Sequence, residues 1–264
     1  MELKTTKMLA RVEDGVGWMV FNNPERRNAM SLAMNEAIPT ILGAFNEDPA
    51  VRVVVMTGAG DKAFVSGADI SEFEAHRSSP ETIAEFDRIG DLAARAFADL
   101  EKPLIAMIRG FCMGGGLMTA MRADIRIASD DSQFGVPAAK LGLGYGFGGV
   151  KSLMDLVGPA YAREILFTGG RFSAEEAWRM GLVNRVVAIE ELEPTVRELA
   201  STIAANAPMT VNTLRVAVNE ALRDPGRRDL EKVERMVEAC FASDDYKEGR
   251  RAFMEKRKPE FIGR

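Results

Sequence analysis

The residues best placed to do chemistry sit in RGFCMGGGLMTAMRAD, Arg109 to Asp124. A run that reads as a buried strand, PLIAMI, leads into three consecutive glycines and then into an apolar segment that reads as a helix. A glycine turn between a strand and a helix N-terminus presents backbone N–H groups to negative charge. A second turn of this kind lies in KAFVSGADI, after the strand-like VRVVVMTG, where Ser66, Gly67, Ala68 and Asp69 are all small or short. Small side chains let a backbone N–H approach a ligand carbonyl. Two such donors meeting on one oxygen would form an oxyanion hole. Glycines at these points also serve tight turns and close helix–strand packing, and composition alone leaves the two readings open.

Other chemistries are excluded more firmly. GLGYGFGG contains a formal G-x-G-x-x-G at Gly144, Gly146 and Gly149. A dinucleotide site would need a strand directly before it and an acid ending a second strand about 20 residues on. VPAAKL is a poor strand, and Glu164 falls in a helical run. No G-x-x-x-x-G-K-[ST] occurs, so there is no P-loop. One histidine, His76, and two cysteines, Cys112 and Cys240, offer no metal-ligand spacing and no disulfide framework. No metal is expected, and a reducing cytoplasm is the expected compartment.

The elements around these turns read as an α/β layered fold. GWMVFN, VRVVVMTG, PLIAMIRG and DIRIAS are strand-like. Ser31 N-caps a helical SLAMNEAIPTILGAFNED between the first two. From about Leu153 the pattern is nearly all helix, with a Ser173/Glu176 capping box, a stop at Gly181 and Pro208 in a first helical turn. A core over residues 1–200 and a helical region over 201–264 are expected to form one structural unit. The 264 residues carry a net charge of −5 and a pI near 5.3, which argues against nucleic acid. No run reaches the roughly 18 apolar residues of a membrane span. The start, MELKTTKMLARVEDG, lacks the apolar core of a signal peptide.

NNPERRNAMS, FVSGADI, GGGLMTAMRADIRIAS, FGVPAAKLGLGYGFGG and EKRKPEF occur in the order seen in the crotonase (enoyl-CoA hydratase/isomerase) superfamily, which the chain resembles over nearly its whole length. The resemblance implies a crotonase-like α/β fold of repeated ββα units and a C-terminal helical trimerisation region. It further implies a coenzyme A thioester as substrate and partner, with no separate cofactor. Carried over by motif, the oxyanion donors are the N–H groups of Ala68 and Gly115, which would hold a thioester enolate. Ser66, Asp69 and Ile70 flank the first donor and are expected to bind the thioester. Arg26, Phe253 and Lys256 match the positions that take the coenzyme A tail.

The departures from the family pattern bear on the reaction. Hydratases of the superfamily carry a glutamate three residues after the middle glycine, where this chain has Met118. Their second glutamate follows the Pro of FG-x-P, where this chain has Ala138. Neither Met nor Ala can orient water or move a proton, so both become walls of an acyl pocket. Tyr145, in the glycine-rich loop, matches the position of a tyrosine in the methylmalonyl-CoA decarboxylase branch, which also lacks the glutamate pair. That branch has a histidine where this chain has Ala68. A lyase of decarboxylase type is therefore the first expectation. The alternatives are a hydratase/isomerase with a substitute acid, an acyl-CoA hydrolase, and a non-catalytic acyl-CoA- or RNA-binding relative. Tyr145 could equally be a packing aromatic. Glu72 and His76 read as a solvated helix face or a pocket lining, Asp69 as a brace of its turn, Arg122 as a helix-end ion pair or a carboxylate binder, and Asp124 as structural.

Overall fold

The computed structural model describes residues 3–72 and 79–264. Two sheets, one of six strands and one of four, make its centre. The large sheet has the order β1-β2-β3-β5-β7-β10, over Met8–Glu13, Val16–Phe21, Val53–Gly58, Leu104–Ile108, Ile125–Ser129 and Arg185–Val187. β1 and β2 form a hairpin whose two-residue turn, Asp14-Gly15, takes positive φ at both positions. That is the backbone which matches the twist of paired strands. From β2 onward neighbouring strands run parallel. The small sheet has the order β4-β6-β8-β9, over Ala63–Val65, Phe111–Met113, Gln133–Gly135 and Phe172–Ser173.

The chain builds both sheets at once. One strand enters the large sheet, the next enters the small sheet, and a helix follows. β3, β4 and α2 (Pro80–Asp99) form the first such unit; β5, β6 and α3 (Gly115–Ala120) form the second. β7 and β8, a 3₁₀ turn at Pro137–Leu141 and α4 (Phe147–Thr168) form the third. These are the repeated ββα units that the family resemblance implied. α5 (Ala174–Arg179) and β10 complete the layer. α5 opens on the expected capping box at Ser173 and Glu176.

Side-chain alternation buries both faces of the large sheet. Trp18, Val53, Val55, Ile105 and Ile127 face Leu192, Val196 and Ala200 of α6 (Ile189–Ala204). Met19, Val54, Met56, Ala106 and Ala128 face the opposite way. There they join Ile38, Ile41 and Phe45 of α1 (Leu32–Glu47), together with Phe64 and Phe134 of the small sheet. Ser31 caps α1 as expected, accepting from Met34 N. After α6 the chain continues as α7 (Pro208–Leu222), α8 (Leu230–Ala242) and α9 (Asp244–Glu255). Ser243 divides the last helical run by closing α8 and N-capping α9.

Candidate active site

Two turns at the C-terminal ends of β4 and β6 carry the site, and a network of backbone hydrogen bonds sets the first of them. Ser66 N donates to Arg27 O, Met30 N donates to Gly67 O at 2.7 Å, and Asp69 N donates to Met30 O at 2.9 Å. Gly67 sits at φ +119°, which a side chain would strain. With its neighbours engaged in this way, the Ala68 N–H has no protein acceptor among the described residues. In the second turn Gly114 takes φ +53° and donates to Gly135 O, and α3 begins at Gly115. The Gly115 N–H is likewise without an acceptor among the described residues, as a first-turn helical N–H ordinarily is.

Gly116 brings the two turns together. A Cβ there would stand 2.0 Å from Val65 O, so α3 rests directly on the end of β4. In consequence a Cβ on Gly115 would lie 3.7 Å from Ala68 N. Two unengaged backbone donors therefore share one small space, which is the geometry an oxyanion hole requires.

Met118 and Tyr145 come together near this space, and the turn that carries Ala138 lies against the glycine turn. Met118 lies one turn into α3, with its N–H on Gly114 O. A Cβ on Gly149 would meet Met118 Sδ at 3.2 Å and the Tyr145 ring at 3.7 Å, so these two side chains converge on the start of α4. Met118 and Tyr145 both pack on the buried core, and Ala138 is itself buried. Pro137 comes within 3.9 Å of where a Gly114 side chain would begin, which sets the Ala138 turn against the glycine turn. Burial pushes the Tyr145 phenol above its ordinary value, so it stays protonated.

Several residues have jobs that differ from their sequence reading. The Arg26 guanidinium donates to both oxygens of Asp69, at 3.0 and 3.3 Å, and also to Ser71 Oγ. Asp69, only 6% exposed, accepts from Ser71 N and Oγ as well. Burial raises its pKa, but the Ser71 hydrogen bonds and Arg26 together outweigh that and hold the carboxyl below its ordinary value. Asp69 thus braces the Ala68 turn, as expected, and Arg26 joins the brace through Nη1 while its side chain stays half exposed. Glu72 is neither a solvated side chain nor a pocket acid, because its carboxylate accepts Leu32 N at 2.9 Å at the start of α1. Asp124 is structural, accepting from Leu104 N and Arg215 Nε. Arg122 makes no ion pair among the described residues. Ile70 opens the 3₁₀ turn after Asp69, and His76 lies outside the described residues.

Phe253 and Lys256 are not brought to the two turns. Phe253 is 82% exposed, and Lys256 ends α9 in a left-handed conformation. The acidic and basic residues around them fold the tail. Asp245 accepts Ile262 N and Gly263 N, and Glu248 accepts from Arg257, Arg251 and Glu260 N.

Asn28 is a site residue that the sequence reading missed. It is fully buried at φ +55°, accepts Asn23 N, and donates to Ala59 O and Ala63 O. It ties the turn after β2 to the base of β4. Its tolerance of the left-handed region is a signal the sequence did carry.

Comparison with known proteins agrees with this fold. The sequence profile of the enoyl-CoA hydratase/isomerase family matches residues 11–264. A crotonyl-CoA hydratase from Syntrophomonas wolfei is 40% identical over 252 residues, 96% of each chain. A carnitinyl-CoA dehydratase from Proteus mirabilis is 37% identical over 90% of this chain and 92% of its own. The crystal structure of an enoyl-CoA hydratase from Bacillus anthracis superposes with a TM-score of 0.88 at 32% identity, covering 98% of this chain and 100% of that one. With two converging backbone donors on a spiral of ββα units and this likeness along its length, the chain belongs to the enoyl-CoA hydratase/isomerase family of the crotonase superfamily.

Proposed function

We propose that this acyl-CoA enzyme is a carbon–carbon lyase of decarboxylase type, working through a thioester enolate. The observation that carries the reading is a protonated Tyr145 standing against Met118 near the two donors, Met118 and Ala138 being the residues that the family resemblance matches to the hydratase acids. The two carboxylates that follow the Ala68 turn are engaged elsewhere, Asp69 with Arg26 and Glu72 with Leu32 N at the start of α1. A neutral phenol is a poor base for activating water and a suitable acid for protonating carbon.

In the proposed step the Cα–carboxylate bond of a 2-carboxyacyl thioester breaks. Carbon dioxide leaves, and the bonding pair moves into the thioester as an enolate. The Ala68 and Gly115 N–H groups hold the enolate oxygen. The Tyr145 hydroxyl then gives its proton to Cα and recovers one from solvent. No redox partner or cofactor enters the balance.

A second reading, hydration of a 2-enoyl thioester with a substitute acid, is favoured by the names of the relatives at 37–40% identity. A mass-resolved assay separates the two. Purified protein is offered 2-enoyl-CoA thioesters beside 2-carboxyacyl-CoA thioesters such as methylmalonyl-CoA. Loss of carbon dioxide without any gain of water is the expected result, and gain of water on the enoyl substrates would overturn the lyase reading.

The same proposal covers the residues that the two turns leave apart. Ser66 and Ile70 flank the thioester, while Phe253 and Lys256 serve the coenzyme A tail across a subunit boundary in a homo-oligomer. An exposed apolar row at Leu214, Val218, Leu222, Val237, Phe241 and Met254 supports assembly. No helix among the described residues is long and apolar enough to cross a membrane, and a cytoplasmic setting is proposed with the rest.

A further inference from the structure

The outer face of the small sheet holds a group of cations that the thioester chemistry does not use. Arg27 lies with its guanidinium carbon 5.0 Å from the centre of the Phe111 ring, and Arg171 places its own at 5.4 Å from the same ring. Lys140 stands with them on the rim of a cavity of about 290 Å³, which Ser66 and Pro137 also line. None of the three cations has an ion-pair or side-chain hydrogen-bond partner among the described residues, in a protein whose net charge is −5. The adjoining cleft beyond Phe111 contains Asp61, Asp131 and Lys62, yet neither acid is within ion-pair distance of Arg27 or Arg171.

The three side chains are exposed, and the backbone that presents Arg27 is fixed. Arg27 sits at φ +51°, next to Asn28 at φ +55°. Two successive non-glycine residues in the left-handed region persist only where their surroundings fix them. Here the buried side chain of Asn28 does so with three hydrogen bonds. Gly169, at φ +53°, leaves room for Lys140, whose Cγ would be 3.2 Å from any Cβ at that position. A guanidinium lying over a ring keeps its N–H edges free to donate. Three positive charges around one cavity repel each other unless an anion sits among them.

From this geometry we infer a phosphate-binding site formed by Arg27, Lys140 and Arg171. Three cations match the near-double negative charge of a phosphate better than the single charge of a carboxylate. Two guanidinium forks suit its several acceptor oxygens. The phosphate groups of a coenzyme A thioester and a free phosphorylated compound share this chemistry. The inference does not depend on the lyase reading, because it rests on residues outside the oxyanion turns.

Isothermal titration of the full-length protein with inorganic pyrophosphate tests it. Wild type is expected to bind, more weakly as salt rises. Arg27→Gln and Arg171→Gln are each expected to weaken binding about ten- to a hundredfold, the loss of one charge-assisted hydrogen bond. Arg235→Gln, on the distant face of α8, should bind as wild type. Adding free coenzyme A identifies the source. Competitive displacement of pyrophosphate assigns the site to the thioester's own phosphates, and simultaneous binding assigns it to a separate phosphorylated compound. Absence of pyrophosphate binding by wild type, or equal binding by the two arginine variants, overturns the proposal.

Discussion

At the scale of single residues, the proposed reaction rests on two N–H groups and one hydroxyl. Gly115→Pro removes one donor at the first helical position, where proline's fixed φ is tolerated. A Cβ there meets nothing closer than 3.7 Å, so the fold should survive. The expected cost is about 10²–10³ in kcat, the usual loss for one oxyanion donor, with a circular dichroism spectrum like that of wild type. Tyr145→Phe keeps the ring that packs with Met118 and removes only the acid. Turnover is expected to fall about 10²-fold with little change in thermal midpoint. A rate near wild type would make Tyr145 a packing residue. The pH profile carries the same claim. Since burial raises the phenol's pKa and the protonated form is the active one, the alkaline limb of kcat should not fall until above the ordinary tyrosine value of about 10. The two turns were legible in the sequence because glycine triplets and small-residue turns leave a local mark, whereas the choice of Ala68, Gly115 and Tyr145 within them came from the family resemblance. The commitments of Glu72 and Arg26 were not, since both reach partners some 40 positions away, at Leu32 and Asp69.

At the scale of elements, long periodic segments were legible and short strands were not. Ser31 and the apolar spacing after it located α1, and β-branched runs located β2, β3, β5 and β7. β4, β6 and β8 have three residues each, too few to show alternation, and they are specified by pairing with one another. The ββα repeat left no fixed period because its helices differ so much in length, 20 residues in α2 and 6 in α3. The joint between elements that matters most is Asn28, which holds the turn after β2 to the base of β4. Asn28→Ala leaves one buried carbonyl, one half-buried carbonyl and one N–H without their Asn28 partner, in a backbone conformation that alanine disfavours. The expected loss is about 3 kcal/mol, read as a lower urea midpoint with an unchanged m-value. A change under about 0.5 kcal/mol would show that the turn holds itself.

At the scale of the whole molecule, the two sheets are followed by a tail pinned by its own charges. Glu248 is held well below its ordinary carboxyl value, first by Arg257, then by Arg251 and by the N–H of Glu260. Asp69 is held down at the opposite turn. A carboxyl whose folded pKa is depressed adds stability above its unfolded pKa and loses it as pH falls through the folded value. Unfolding midpoints are therefore expected to hold steady above about pH 5 and to decline as pH drops below the ordinary values of 3.8 and 4.5. A flat profile down to pH 3 would contradict these pairings. The central claim, an enolate held by two backbone donors and protonated by a phenol, is tested most directly by turnover of a 2-carboxyacyl-CoA thioester in heavy water, followed by mass spectrometry. The expected product has lost carbon dioxide and carries one solvent deuterium at Cα. An unchanged 2-carboxyacyl thioester, alongside 2-enoyl-CoA that gains a molecule of heavy water, would contradict the account.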